Sequence, residues 1–186
     1  MEARYVREGA CPHAPGNIVT AAGDSRPPVR KHPSHNSVHE QGFRSTILFV
    51  TVCAESRNAI LANEWMSKNI VDAWENAQNW LVGRYVIMPD HIHFFCAPAT
   101  YPVSDFHGWM KYWKRLAQQA FAARGDTRPP GAKLWQDGCW DTQMRTGMQY
   151  EEKWQYVRNN PVRKGLVTTA DDWQYQGVLR DLSWHD

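Results

Sequence analysis

Two histidines separated by a single residue are the strongest chemical signal in this sequence. His91 and His93 belong to the run MPDHIH at positions 88–93, which follows one apolar stretch and begins another. If the second stretch is a strand, both imidazoles point to one face, because side chains alternate between the faces of a strand. Two such imidazoles can hold one divalent cation and leave room for a third ligand, water and a phosphate. Mg²⁺ and Mn²⁺ prefer open sites of this kind, where the ion polarises a phosphodiester.

A predicted helix further along the chain offers a nucleophile and a third ligand. In this helix, from Gln149 to Asn160, Tyr156 lies four residues before Asn160, so the two side chains share one face. If that face meets the histidines, the Asn160 amide oxygen can bind the cation, and the Tyr156 phenol can attack phosphorus to give a covalent phosphotyrosine. Simpler interpretations stay open: the histidines face solvent, Tyr156 packs in the core, and Asn160 caps the helix before Pro161.

Hydrophobic patterns indicate which elements position these residues. Apolar runs predict strands over residues 46–53, 81–88, 91–97 and 134–145, with a Pro89–Asp90 turn between the second and third and a bend at Gly138 in the last. Apolar residues at helical spacing predict helices over 63–79, 103–123 and 149–160. This order predicts an α+β fold of the ferredoxin-like split βαβ type: a four-stranded antiparallel sheet with helices on one face, plus a C-terminal helix that carries the nucleophile.

The third predicted strand separates an apolar face from a histidine face. Ile92, Phe94 and Cys96 alternate with the histidines and are all apolar, so we expect them to face the core. The face with His91 and His93 is then either exposed or covered by an added element.

Composition sets the expected boundaries and setting of the domain. Residues 1–42 are rich in Pro, Gly, Ser, His and Arg without a hydrophobic period, which predicts a flexible tail before a folded domain over 43–170 and a C-terminal tail over 171–186. No apolar stretch approaches the length of about 18 residues needed to cross a membrane. The N-terminus also lacks the apolar segment of a secretory signal, so we expect a soluble, cytoplasmic protein with no membrane partner.

A net charge of +2 is too small to indicate a nucleic-acid partner, but the positive charges are clustered. Basic residues dominate the segment from 107 to 133 and the segment around Tyr156. Such local surfaces usually contact phosphates, although a basic helix face is often simply solvated. The candidate nucleic-acid-binding residues are Arg44, Lys111, Lys114, Arg115, Lys153, Arg158, Arg163 and Lys164.

Three segments together resemble the signatures of one family. The runs MPDHIH at 88–93, LWQDGCWD at 134–141 and YVRNNPVRKGLV at 156–167 resemble those of the REP-associated tyrosine transposases. These are single-tyrosine HUH transposases, in which U is a hydrophobic residue. The resemblance spans about residues 43–177 and identifies 43–170 as the catalytic domain. Two positions depart from the pattern: Cys139 stands where a large aromatic residue is common, and Thr142 where a histidine is expected.

The resemblance implies a specific enzyme and site. His91 and His93 correspond to the HUH histidines, Tyr156 to the nucleophile and Asn160 to a further metal ligand. Members of the family nick and rejoin single-stranded DNA at hairpin, REP-like sequences through a 5′-phosphotyrosine. They use Mg²⁺ or Mn²⁺ and no nucleotide cofactor, and both a monomer and a homodimer remain possible here. Two alternatives stay open: a catalytically silent, domesticated regulator that binds hairpin DNA or RNA, and a metal-dependent hydrolase that activates water.

Overall fold

The computed structural model describes residues 46–124 and 131–184, so the predicted tail over 1–42 and Arg44 lie outside the described residues. The helices and strands, in chain order, are β1 (Leu48–Cys53), α1 (Glu64–Asn76), β2 (Trp80–Ile87), β3 (His91–Pro98), α2 (Phe106–Ala123), β4 (Trp140–Gln143), α3 (Gly147–Arg158), α4 (Asn160–Arg163) and β5 (Gln176–Val178). The α+β class is therefore confirmed. Within the described ranges, no helix is both long and apolar enough to span a membrane.

The strands form one antiparallel sheet in the order β4-β1-β3-β2-β5, so the described sheet has five strands where four were predicted. The fifth strand pairs with the edge of β2, with Val86 opposite Gln176, in a segment that was predicted to be a tail. The predicted strand over 134–145 was too long. Its first part leaves the sheet after a single bridge between Trp135 and Ala54, and Gly138 then turns the chain with a φ of 75°.

Helices α1 and α2 cover one face of the sheet and enclose the main core. Ile92, Phe94 and Cys96 face this core, as their alternation predicted. Each helix begins at a capping side chain: the Asn63 carboxamide accepts a hydrogen bond from the Met66 amide at 2.9 Å, and the Asp105 carboxylate accepts two from the first turn of α2. The face of β3 opposite the histidines is thus packed against α1 and α2.

Helix α3 covers the opposite face, so the helices do not all lie on one side of the sheet. The Thr146 hydroxyl caps α3 by accepting a hydrogen bond from the Gln149 amide at 3.1 Å. Further along the helix, the Tyr150 ring packs edge-on against Phe95 at 4.8 Å. The sequence left open whether the histidine face is exposed or covered by an added element. In the structure, α3 covers it.

The helix that carries Tyr156 ends earlier than predicted. Helix α3 stops at Arg158, and Asn160 begins the short helix α4. Pro161 was predicted to end the helix, but it lies in the first turn of α4, where its missing N–H and fixed φ are tolerated. Tyr156 and Asn160 therefore belong to two consecutive helices separated by Asn159.

Candidate active site

The two histidine rings lie together on the α3 side of β3. Their centroids are 4.7 Å apart, and the planes meet edge to face. His93 is flanked across the sheet by Thr51 of β1 and Val86 of β2, and His91 is paired with Cys53. Directly opposed residues of neighbouring strands have Cβ atoms about 5 Å apart, so these side chains surround the imidazoles.

Each imidazole has one nitrogen engaged by a neighbouring oxygen. The Asp90 Oδ1 atom lies 2.6 Å from His91 Nδ1, and the Thr51 Oγ1 atom lies 2.8 Å from His93 Nδ1. A metal-binding imidazole usually has one nitrogen fixed in this way while the other binds the ion. Any metal-binding role would therefore fall to the Nε2 atoms of His91 and His93.

The Asp90 carboxylate also forms an ion pair that the sequence did not reveal. The Arg57 Nη2 atom lies 2.7 Å from Asp90 Oδ2, and Arg57 Nη1 donates a hydrogen bond to the Cys53 sulfur at 3.0 Å. Partial burial raises the pKa of Asp90, but the hydrogen bond with His91 and the positive charges of His91 and Arg57 outweigh this and lower it overall. Asp90 is thus an anion beside the histidine pair.

His93 is held in its neutral form. Burial lowers its pKa well below the usual value, and positive charge at His91, Lys153, Arg57 and Arg163 lowers it further. Neutral imidazole is the form that binds a metal ion.

Tyr156 and His93 have apolar neighbours in common. Tyr156 packs against the cluster formed by Val86, Met88 and Val157, and Phe49 packs against the same cluster. Val86 is the direct cross-strand partner of His93, and the Phe49 ring stacks on the His93 ring at 5.4 Å. Helix α3, which carries Tyr156, therefore packs on the same face of the sheet as the two histidines.

Two cations flank the Tyr156 ring. The Lys153 Nζ atom lies 5.7 Å from the ring centre, and the guanidinium carbon of Arg163 lies 3.4 Å from it. Lys153 also lies 5.3 Å from the centre of the Phe49 ring, between the tyrosine and the histidine side of the site. Arg163 in addition donates a hydrogen bond to Asn160 Oδ1, the oxygen predicted as a metal ligand.

The remaining predicted DNA-binding residues either form contacts with other parts of the chain or are exposed. Lys114 donates hydrogen bonds to the carbonyl oxygens of Gln136 and Gly138, and burial lowers its pKa despite nearby negative charge. Arg158 pairs with Asp171. The exposed members of the set are Lys111, Arg115 and Lys164.

The candidate metal donors are few. In residues 46–124 and 131–184, no three His, Cys, Asp or Glu side chains cluster in a way that could hold a metal. Two Nε2 atoms and one amide oxygen would form an incomplete ligand set, so a cation held by them would need further ligands from water or phosphate.

Comparison with known proteins shows which family this chain is similar to. No protein-family model matches the chain. The REP-associated tyrosine transposase of Escherichia coli is 22% identical over 139 residues, which cover 74% of this chain and 79% of that protein. Among solved structures, a REP-associated tyrosine transposase bound to a REP hairpin superposes with a TM-score of 0.58 at 19% identity, covering 76% of this chain and 82% of that one. The chain is therefore similar to the REP-associated tyrosine transposases, the family that its three segments resemble, and it shares the fold of the solved member.

Proposed function

We propose that this protein is a transposase-type enzyme that nicks and rejoins single-stranded DNA through a covalent 5′-phosphotyrosine at Tyr156. The observation that carries the proposal is that Tyr156 and Phe49 pack against the same apolar cluster, which includes Val86. Val86 and Phe49 are also neighbours of His93. The phenol and the two imidazoles would then act together on one face of the sheet. The relation to the REP-associated tyrosine transposases supports the same assignment.

A divalent cation, Mg²⁺ or Mn²⁺, would be held by His91 Nε2, His93 Nε2 and Asn160 Oδ1. Bound there, it would polarise the scissile phosphodiester. The Asn160 oxygen already accepts a hydrogen bond from Arg163, but an amide oxygen has two lone pairs and can serve both partners.

The covalent step is a displacement at phosphorus. The phenol of Tyr156 gives up its proton, and its oxygen forms a new bond to the phosphorus atom as the bond from phosphorus to the 3′ oxygen breaks. The 3′ oxygen takes up a proton from solvent and leaves as a hydroxyl group. The tyrosine ester conserves the energy of the broken bond, so a later attack by a 3′-hydroxyl can reverse the step without a nucleotide cofactor. Lys153 and Arg163, beside the phenol, stabilise negative charge on the phenolate and on the phosphate.

The substrate we propose is single-stranded or hairpin DNA with a REP-like sequence. The related solved structure is bound to a REP hairpin. In this chain, Lys153 and Arg163 at the site, together with exposed Lys111, Arg115 and Lys164, supply the positive charge that phosphate contacts require. We further propose that the enzyme acts in the cytoplasm.

The decisive experiment is a covalent-adduct assay. The chain is incubated with Mn²⁺ and a single-stranded hairpin DNA labelled on the 3′ side of the cut, and adducts that resist denaturant are resolved by electrophoresis. We expect an adduct with the wild type and with Tyr150→Phe, a matched change on the same helix, and none with Tyr156→Phe. Equal adduct from Tyr156→Phe would reject the assignment.

A catalytically silent regulator that binds hairpin DNA or RNA is the second candidate. It is favoured by the similar solved structure, which is bound to a REP hairpin, because hairpin binding alone needs no cation. It predicts tight, salt-sensitive hairpin binding without an adduct, unchanged in His91→Ala. A water-activating hydrolase would instead release a free 5′-phosphate end and be indifferent to Tyr156→Phe.

A further inference from the structure

We propose that Arg57 and Asp90 are positioning residues that fix His91 as the tautomer protonated on Nδ1, leaving Nε2 unprotonated for a cation. The cation itself rests on the proposed function, but the tautomer does not. Neither residue belongs to the histidine, tyrosine and asparagine set that the sequence indicated.

The tautomer follows from two competing contacts at His91 Nδ1. Asp90 Oδ1 lies 2.6 Å away, and Arg57 Nη2 lies 3.5 Å away. An ionised carboxylate only accepts hydrogen bonds and a guanidinium only donates them, so the two contacts demand opposite protonation of the nitrogen. The first distance is that of a short, charge-assisted hydrogen bond, and the second lies beyond the normal range. The proton therefore belongs on Nδ1.

Arg57 holds the carboxylate in the orientation that this hydrogen bond needs. Its guanidinium lies 2.7 Å from Asp90 Oδ2, so the two carboxylate oxygens are divided between the arginine and the histidine. A second nitrogen of Arg57 donates to the sulfur of Cys53, which is paired with His91 across the sheet. Backbone bonds fix the loops that carry both residues: the Ala54 amide donates to the Asp90 carbonyl at 3.0 Å, and the Leu61 amide to the Pro89 carbonyl at 2.9 Å.

The backbone at Arg57 is unusual for an arginine. Ser56 and Arg57 have φ values of 51° and 56°, in the left-handed region that glycine adopts most easily. Non-glycine residues persist in such conformations when the surrounding structure requires them, and they cluster at functional sites. Arg57 adopts this conformation while its guanidinium contacts Asp90, the residue that contacts His91. This supports a role for the arginine side chain in holding Asp90.

The first test reads the tautomer directly in the metal-free chain. Long-range ¹H–¹⁵N NMR at a pH where His91 is neutral should show a protonated Nδ1 in the wild type. In Asp90→Ala, the His91 proton should move to Nε2 or be shared between the two nitrogens. The signals of His93 should be unchanged, because its ring contacts Thr51 rather than Asp90. A wild-type His91 protonated on Nε2 would overturn the proposal.

The second test measures affinity for Mn²⁺ by calorimetry. Loss of a residue that orients a metal-binding histidine typically weakens metal affinity about 10- to 100-fold, and we expect this for Asp90→Ala and Arg57→Gly. Ser56→Gly relieves the same backbone conformation without removing the guanidinium, and Asp72→Asn removes a carboxylate from the Lys68–Asp72 ion pair on α1. Both should bind Mn²⁺ like the wild type.

The outcomes separate this inference from the proposed function. Because glycine suits the left-handed backbone at position 57, Arg57→Gly should remain folded, which a thermal melt verifies. Unchanged Mn²⁺ affinity in Arg57→Gly and Asp90→Ala would overturn the inference while leaving the Tyr156 adduct intact. A wild type that binds no Mn²⁺ would overturn the cation-dependent function, and the NMR experiment would still decide the tautomer.

Discussion

The two faces of strand β3 differ in composition and in burial. On one face, Ile92 and Phe94 are sealed beneath α1 and α2 in a core of interlocking aromatic rings. On the other, His91 and His93 lie beneath α3, among partly buried rings and cations. Successive residues of a strand point to opposite faces. Packing one face of β3 into the core therefore also fixes the histidines on the other face.

The helices over the two faces also differ in how firmly they are held. Helix α2 buries six side chains, among them Trp109 and Trp113, whereas α3 buries Tyr150 and Val157. Elements with few buried apolar contacts open at lower free energy than the core does. Changes on the α1 and α2 side should therefore unfold the protein, and changes on the α3 side should disturb the site first.

The largest expected loss of stability comes from Trp113→Ala, on the core side. Trp113 is fully buried, and its ring meets those of Trp74, Phe94 and Trp135 within 6 Å. Truncating a core tryptophan costs about 3–5 kcal/mol, so we expect a loss of that size in the free energy of unfolding, measured in urea.

The matched change on the other face is Trp154→Ala, in which a partly buried ring is removed from α3. It should destabilise the protein clearly less than Trp113→Ala does and reduce adduct yield at temperatures where the protein stays folded. Equal destabilisation by the two variants would contradict the proposed difference between the faces.

How much of this fold the sequence could predict depends on how local each signal is. The β2–β3 hairpin and the apolar face of β3 are local patterns, and they were predicted. Strand β5 was missed because Gln176–Val178 is too short to alternate, and it is ordered by the free edge of β2. The end of α3 was misplaced because Pro161 can stop one helix or begin the next.

The same distinction between local patterns and long-range contacts applies to the candidate site. His91, His93, Tyr156 and Asn160 were identified from residue type and family resemblance, and their neighbours are now described. Arg57 was missed because it contacts residues 33 positions later in the chain, and no local pattern marks that contact. Asp90 was interpreted only as a turn residue, although its place directly before His91 was a usable signal.

Removing the cations beside the phenol should weaken DNA binding while leaving the core intact. For Lys153→Ala or Arg163→Ala, we expect weaker hairpin binding, with the slope of log affinity against log salt reduced by about 0.7–0.9 for each lost phosphate contact. Lys68→Ala, on α1 at the opposite face, is the matched control and should leave the slope unchanged. Fluorescence anisotropy over a salt series measures both, and an unchanged slope in Lys153→Ala would argue against phosphate contact there.

Two helix caps allow a finer comparison of the faces. Asn63 caps α1 and Thr146 caps α3, each through a side-chain oxygen that accepts a first-turn amide. Replacing either with alanine should cost about 1 kcal/mol of stability. Because α3 carries Tyr156, Thr146→Ala should also slow adduct formation, whereas Asn63→Ala should not. Equal adduct rates in the two variants would show that the position of the phenol does not depend on the start of α3.

The smallest expected effect concerns the ion pair that ties α3 to the sheet. Arg84 on β2 and Glu151 on α3 are 2.5 Å apart, but half of the Glu151 side chain is exposed, so solvent screening limits the pair to about 0.2–1 kcal/mol. The hydrogen bond from Arg84, and then that from Gln155, lower the pKa of Glu151 despite slight burial. A lowered carboxyl pKa gives stability that is present above the unfolded value of about 4.3 and is lost as the pH falls through the folded one. Glu151→Gln should therefore be less stable than the wild type at pH 7 and equal to it near pH 2, as urea unfolding at both pH values can measure. A difference that persisted at the lower pH would assign the effect to packing of α3 rather than to its charge.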